Sequence, residues 1–149
     1  MSFQIRQASL DDLDTLVPLF DGYRQFYRQA PDPARARAFL AERMAKQESQ
    51  ILLAIDDTGA GLGFTQLYPL FSSVRAVRTF LLNDLFVAAV ARRQGVAKAL
   101  LIGAAGHARS LGAASLSLST ALDNAPAQAL YESLDWQRDR GFCEYALVL

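Results

Sequence analysis

Between Thr79 and Ser119 the chain switches from a strand pattern to a helix pattern and back, and this limits the fold more than any other feature. Thr79 to Val87 reads as a strand. Gly95 to Leu111 carries a helical stripe of Val96, Leu100, Ala104, Ala108 and Leu111, which Gly112 closes. Ser115 to Ser119 reads as a second, buried strand. Two strands joined by a crossover helix lie parallel in one sheet, with a right-handed connection. Upstream, Phe3 to Arg6 alternates as a short strand, and Gln50 to Ile55 and Gly61 to Tyr68 flank the turn Asp56-Asp57-Thr58-Gly59 as a hairpin. The expected fold is mixed α/β: a mostly antiparallel central sheet with one parallel strand pair and flanking helices.

The helices have readable ends. Ser9-Leu10-Asp11-Asp12 resembles a capping box with Asp in place of Glu. It opens a stretch in which Leu13, Leu16, Val17, Phe20, Tyr23 and Tyr27 recur at helical spacing, with a kink or break expected at Pro18. Asp32-Pro33 starts a second helix that runs to about Lys46. Asn124 to Leu134 forms another, with Ala127, Leu130, Tyr131 and Leu134 inward, and Phe142 to Val148 reads as a final strand holding Cys143 as a small apolar filler. The order is β-α-α-β-β-β-α-β-α-β. Of the 149 residues 52% are hydrophobic, enough for one core without disulfides, and no linker or repeat divides the chain. Residues 1–149 are expected to be a single domain.

Several function classes fall away. Fifteen basic and fifteen acidic residues balance, so the basic face of a nucleic-acid binder is not expected. One cysteine, Cys143, and one histidine, His107, cannot build a zinc site, and no metal is expected. No apolar run approaches a membrane span, and Met-Ser-Phe-Gln-Ile-Arg does not open like a signal peptide. The expected setting is the reducing cytoplasm.

Chemistry concentrates in Arg92-Arg93-Gln94-Gly95-Val96-Ala97-Lys98, between a strand and a helix. The first N–H groups of a helix lack internal partners and carry the positive end of its dipole. Small residues at 95 and 97 let anion oxygens approach them, and three cations stand alongside, so the segment can cradle a phosphate. It is neither a nucleoside-triphosphate loop nor a three-glycine dinucleotide fingerprint. The same residues also read as an ordinary turn with surface arginines.

Arg-x-x-Gly-x-Ala at 92–97, after Leu85-Phe86-Val87, resembles the signature of the GNAT superfamily of N-acetyltransferases. Asn124-x-x-Ala127-x-x-Leu130-Tyr131-Glu132 is similar to its second motif. The resemblance is close over residues 84–136. It implies a GNAT-like domain with a splayed parallel strand pair, and an acyltransferase that uses acetyl-CoA. It further implies that the main chain of Leu85, Phe86 and Val87 pairs with the pantetheine arm, that Arg92, Arg93, Gln94, Gly95, Val96, Ala97 and Lys98 wrap the pyrophosphate, that Asn124 bonds the arm, and that Tyr131 lies near the sulfur and protonates the departing thiolate. Arg93, Ala97 and Asp135 stand where the superfamily often has glycine. Tyr131 also reads as a core tyrosine, and Asn124 as a helix cap.

Asn83-Asp84-Leu85-Phe86-Val87 resembles more weakly the diamine N-acetyltransferase branch, which implies that Asp84 anchors a cationic amine directly or through water. The alternative is a strand-end Asp on the surface. Asn83, Tyr23 and Tyr27 are the other acceptor-pocket candidates, although core packing also suits one of the tyrosines. The expected activity is acetylation of a small-molecule primary amine, of polyamine or amino-acid type, by a homodimer. A protein or peptide acceptor, or an acyl-CoA-binding regulator without catalysis, remains open.

Overall fold

In the computed structural model, which describes residues 2–149 and so leaves Met1 of the expected 1–149 domain outside, apolar stretches between tight turns become strands. They are β1 (Phe3–Gln7), β2 (Gln50–Asp56), β3 (Gly61–Ser72), β4 (Val77–Val87) and β5 (Leu116–Ser117), side by side in that order. The β2–β3 turn is organised by Asp56, whose Oδ1 accepts from Thr58 N, Thr58 Oγ1 and Ala60 N at 2.9, 2.7 and 3.0 Å. The first three pairings are antiparallel, and β4 and β5 run parallel. The sheet is therefore mostly antiparallel and ends in a parallel pair. That pair joins only Phe80 to Leu116 and Leu81 to Ser117, so β4 continues beyond it through Val87.

β5 is shorter and less covered than the sequence suggests. Serines alternate with its leucines, so one side of the strand is polar, and Ser117 is exposed.

Helices cover both faces. Ser9 N donates to Asp12 Oδ2 at 2.8 Å and Asp11 N to Ser9 Oγ at 3.3 Å, so the Asp version of the capping box forms. Arg6 also donates to Asp12, and these bonds hold its carboxyl at about pKa 2. A 3-10 turn then leads into α1 (Leu13–Phe26), which runs unbroken across Pro18. Asp32 Oδ1 caps α2 (Pro33–Ala45) by accepting from Arg35 N at 3.1 Å. Leu16, Val17 and Phe20 of α1 and Ala36 and Leu40 of α2 bury against Leu53 and Phe64 of the sheet. On the opposite face lies α3 (Val96–Ser110), so close that a Cβ on Gly103 would stand 3.1 Å from the Ile5 side chain and 3.4 Å from that of Leu52.

The chain divides into two compact units, one running to Leu118 and one from Ser119 to Leu149. In the second, Asn124 Oδ1 accepts from Ala127 N at 3.3 Å and caps α4 (Ala125–Ser133). Ala127, Leu130, Tyr131 and Leu134 are its half-buried stripe. The expected final strand is absent among the described residues. Phe142, Tyr145, Leu147 and Val148 are exposed, and an alternating pattern needs a ladder partner to become a strand. Cys143 is accordingly exposed and not a core filler.

Among the described residues, α1 to α4 end in the same way. The residue after each C-cap has a left-handed backbone: Arg28 (φ 65°), Gln47 (φ 55°), Gly112 (φ 81°) and Asp135 (φ 69°). Each donates its N–H to a carbonyl of the last turn, and so does the next residue, as in Asp135 N to Glu132 O at 3.1 Å and Trp136 N to Tyr131 O at 3.0 Å. This is the Schellman motif. In α4 the accompanying apolar contact is between Tyr131 and Trp136, with ring centroids 6.1 Å apart.

Candidate active site

The loop after β4 delivers the chain to the open end of α3. Arg92 Nε donates to Val87 O at 3.1 Å, and its guanidinium lies 6.0 Å from the Phe86 ring centroid. That bond folds the loop back on the strand end. Gly95 is the N-cap, with φ 81°, and no side chain caps the helix. A Cβ on Gly95 would meet nothing within 4 Å, so the position needs glycine for its backbone and leaves open space in front of the helix. Arg92, Arg93, Gln94 and Lys98 are exposed around it, Ala97 is half-buried and Val96 is anchored in the core. No acidic residue occupies the first turn. Uncapped N–H groups, open space and clustered cations fit the pyrophosphate of acetyl-CoA.

Across the sheet, the face toward α1 holds a polar cluster. Phe64 pairs with Phe86 and Gln66 with Asp84, and a bulge follows: Leu67 pairs with Leu82, which leaves Asn83 as the extra residue. Its carbonyl accepts from the Tyr23 hydroxyl at 3.1 Å. Asp84 is neither exposed to a cleft nor a strand-end surface group, since only 1% of it is accessible. The reason is its place inside β4 on the face that α1 covers. Its carboxylate accepts from Gln66 Nε2 at 2.6 Å and Asn83 Nδ2 at 2.7 Å, and its main-chain carbonyl from Thr65 Oγ1 at 2.8 Å. Burial raises its pKa, opposed by hydrogen bonds from Asn83, Gln66 and Tyr23. Burial and the nearby Asp84 charge also push up the hydroxyls of Tyr23 and Tyr68.

Tyr23 of α1 and Tyr27, the residue that caps its C-terminus, therefore separate in role. Tyr23 sits edge-on to Phe64 at 6.0 Å and reaches the bulge, whereas Tyr27, 51% exposed, sits edge-on to Tyr23 at 5.2 Å. Sequence reasoning missed Gln66 and Tyr68. A glutamine inside the apolar run Gly61 to Tyr68 was the available signal, because a buried polar residue is informative where a buried leucine is not. Among the residues of the second unit, Asn124 caps α4 and Tyr131 packs on Trp136. His107 lies far along α3 and is packed, with Nε2 2.8 Å from Gln50 Oε1.

The sequence profile of the acetyltransferase (GNAT) family matches residues 16–136. The chain belongs to the GNAT family. It is 47% identical over 143 residues to the uncharacterized N-acetyltransferase YhfO of Bacillus subtilis (strain 168), a match that covers 96% of this chain and 95% of the relative. A crystal structure of a probable acetyltransferase superposes with a TM-score of 0.93 at 45% identity, over 98% of this chain and 97% of the other. The ribosomal-protein-alanine N-acetyltransferase of Brucella melitensis biovar Abortus 2308, at 23% identity, shares the fold, with a TM-score of 0.83 over 99% and 100% of the two chains. This GNAT chain is thus an acyltransferase, and acetyltransferases of the family use acetyl-CoA as co-substrate. Two of its departures from the family's glycines, Arg93 (φ 62°) and Asp135 (φ 69°), fall on left-handed backbone, which explains why glycine is common there. Ala97 is an ordinary helical position.

Proposed function

We propose that the chain moves the acetyl group of acetyl-CoA to a primary amine of a small molecule, of polyamine or amino-acid type as in the diamine branch, by direct attack. The observation that carries the amine acceptor is the buried Asp84 carboxylate, one residue before Leu85 and beside the Tyr23 hydroxyl. Acetyl-CoA supplies the acyl group as a thioester.

The chain's own residues supply the rest. Leu85, Phe86 and Val87 lie past the end of the β4–β5 pairing, which suits strand-like addition of the pantetheine arm. Main-chain N–H groups there polarise the thioester carbonyl, a type of help commonly worth several kcal/mol. Arg92 to Lys98 hold the pyrophosphate, and Asn124 the arm. At 1% exposure Asp84 acts at one remove: its charge makes the Tyr23 side of the bulge attractive to an ammonium, and Tyr23 or a water carries the contact. Asn83 and Tyr27 flank that position. The ammonium first gives a proton to solvent, and the neutral nitrogen attacks the thioester carbon. As the C–S bond breaks, Tyr131 protonates the leaving thiolate and is restored by the proton that the new amide nitrogen sheds through water.

This reading takes residues 1–149 as one GNAT-like domain acting as a cytoplasmic homodimer. The near-full-length superposition supports the domain, the single cysteine supports a reducing compartment, and exposed Leu70, Phe71 and Val74 at the β3–β4 turn offer apolar surface for a dimer. Thiol release measured over polyamines, amino acids, aminoglycosides and peptides tests the acceptor. Turnover of peptides alone overturns the small-molecule reading, and acetyl-CoA binding without turnover of any amine overturns catalysis.

A further inference from the structure

The end of α3 remote from Gly95, about 20 Å away at 1.5 Å per residue, borders a recess of about 380 Å³ where β1 ends and β2 begins. That volume falls within the range of small-molecule pockets. Its polar side is built from Ser49, Gln50, Gln7 and His107, and its apolar side from Leu10, Met44, Ile51 and Leu111.

The hydrogen bonds in the recess are unevenly distributed. Gln50 Oε1 accepts from Gln7 Nε2 at 3.0 Å and lies 2.8 Å from His107 Nε2. With the Gln50 oxygen on that side, a neutral His107 ring donates from Nε2 and leaves Nδ1 as an acceptor. The Gln50 amide hydrogens remain available for another acceptor. Ser49 Oγ, on a residue only 8% exposed, has no hydrogen-bond partner among the described residues. A buried hydroxyl left unpaired is costly, and this one lines the recess. Among the described residues no Asp, Glu, Lys or Arg lines it, so a charged ligand would lose its hydration without gaining a counter-charge. Leu10 and Leu111, each nearly half exposed, would be covered by an apolar ligand body.

We propose that this recess is a second small-molecule site, selective for an uncharged ligand that joins a short apolar body to a carboxamide or hydroxyl group. The carboxamide or hydroxyl meets Ser49 Oγ and the Gln50 amide, and the body lies against Met44, Ile51 and Leu111.

Benzamide, benzoate and benzamidinium are probes of one shape and three charges. In NMR titrations of the isotope-labelled full chain, benzamide should shift the Ser49, Gln50 and His107 signals saturably, with Kd on the order of millimolar, the range of so small a fragment. The two charged probes should bind at least ~10-fold more weakly. Ser49→Ala should weaken benzamide roughly 3- to 10-fold. Leu111→Trp, at the exposed mouth, should fill the recess and abolish the shifts without touching the core. Equal binding of all three probes, shifts centred on Tyr23 and Asp84 instead, or no shift at all would overturn the proposal, the last meaning that the recess holds water only. Should Ser49→Ala fail to fold, unchanged benzamide binding by Leu111→Trp overturns it equally.

Discussion

Gln66 and Asp84 face each other across the β3–β4 ladder, with the amide nitrogen 2.6 Å from the carboxylate and the amide oxygen buried without a partner among the described residues. The pair explains how a carboxylate is kept inside the sheet, and it makes Asp84 expensive. Because burial raises its folded-state pKa, protonated Asp84 is favoured by folding. Its contribution is present below the unfolded value of 3.8 and is lost as pH rises through the higher folded value. At neutral pH the charge therefore opposes folding.

Asp84→Asn should accordingly stabilise the protein at pH 7 by about 1 kcal/mol, a common size for a single buried change. Gln66 Nε2 and Asn83 Nδ2 both donate to the carboxylate, so the introduced amide nitrogen can be accommodated only if the Gln66 amide turns over and presents its oxygen. The gain should shrink as pH falls toward 4, as thermal melts over a pH series will show. The same variant should raise KM for a cationic amine and leave acetyl-CoA affinity nearly intact. Wild-type kinetics with the best acceptor would remove Asp84 from the acceptor site.

The four helix ends give a prediction that concerns stability alone. Three of their left-handed positions carry side chains, and each costs about 1–2 kcal/mol in that conformation. Glycine recovers most of this and loses part to its larger unfolded-state entropy. Arg28→Gly, Gln47→Gly and Asp135→Gly should each stabilise by about 0.5–1 kcal/mol in denaturant titrations, and Gly112→Ala should destabilise by about 1 kcal/mol. Destabilisation by Asp135→Gly would show that its carboxylate has a role beyond the turn.

These ends also mark the limit of what was legible. Gly112 announced the end of α3, whereas Arg28, Gln47 and Asp135 gave no glycine signal for the same geometry. The Ser9 and Asp32 caps were readable because a short acceptor before a helix has one local use. The burial of Asp84 was not, because it depends on Phe64, Gln66 and Tyr23, which arrive from other elements. The bulge at Asn83 is likewise set by register between strands and leaves no local signature. The expected strand at 142–148 erred in the other direction, since alternation was present without a partner for it.

For the phosphate cradle, Gly95→Ala and Gly95→Glu separate backbone from charge. The added methyl enters open space, so Gly95→Ala imposes mainly the cost of a left-handed backbone, about 1–2 kcal/mol of stability. Gly95→Glu adds a carboxylate where the phosphates are expected. Calorimetry should show acetyl-CoA affinity falling at least ~10-fold further in Gly95→Glu than in Gly95→Ala, a difference of about 1.4 kcal/mol. Equal affinities in the two variants would move the phosphates away from this helix end.

Tyr131 separates a catalyst from a module that only binds acyl-CoA. Its ring is held by the Trp136 contact that closes α4, so Tyr131→Phe keeps the packing and removes only the hydroxyl. Folding should survive, with an unchanged Schellman end at Asp135. If the hydroxyl protonates the thiolate, kcat should fall by about 10- to 10³-fold, near the usual range for a general acid. Acetyl-CoA Kd should move by less than ~1 kcal/mol, the size of one ordinary hydrogen bond. The comparison must be made with an acceptor for which chemistry limits turnover, because slow product release hides a lost acid. A pre-steady-state burst of acetylated product identifies an acceptor that fails this condition. Full activity of Tyr131→Phe under chemistry-limited turnover would assign the proton to water or another group and leave Tyr131 as the apolar partner of Trp136.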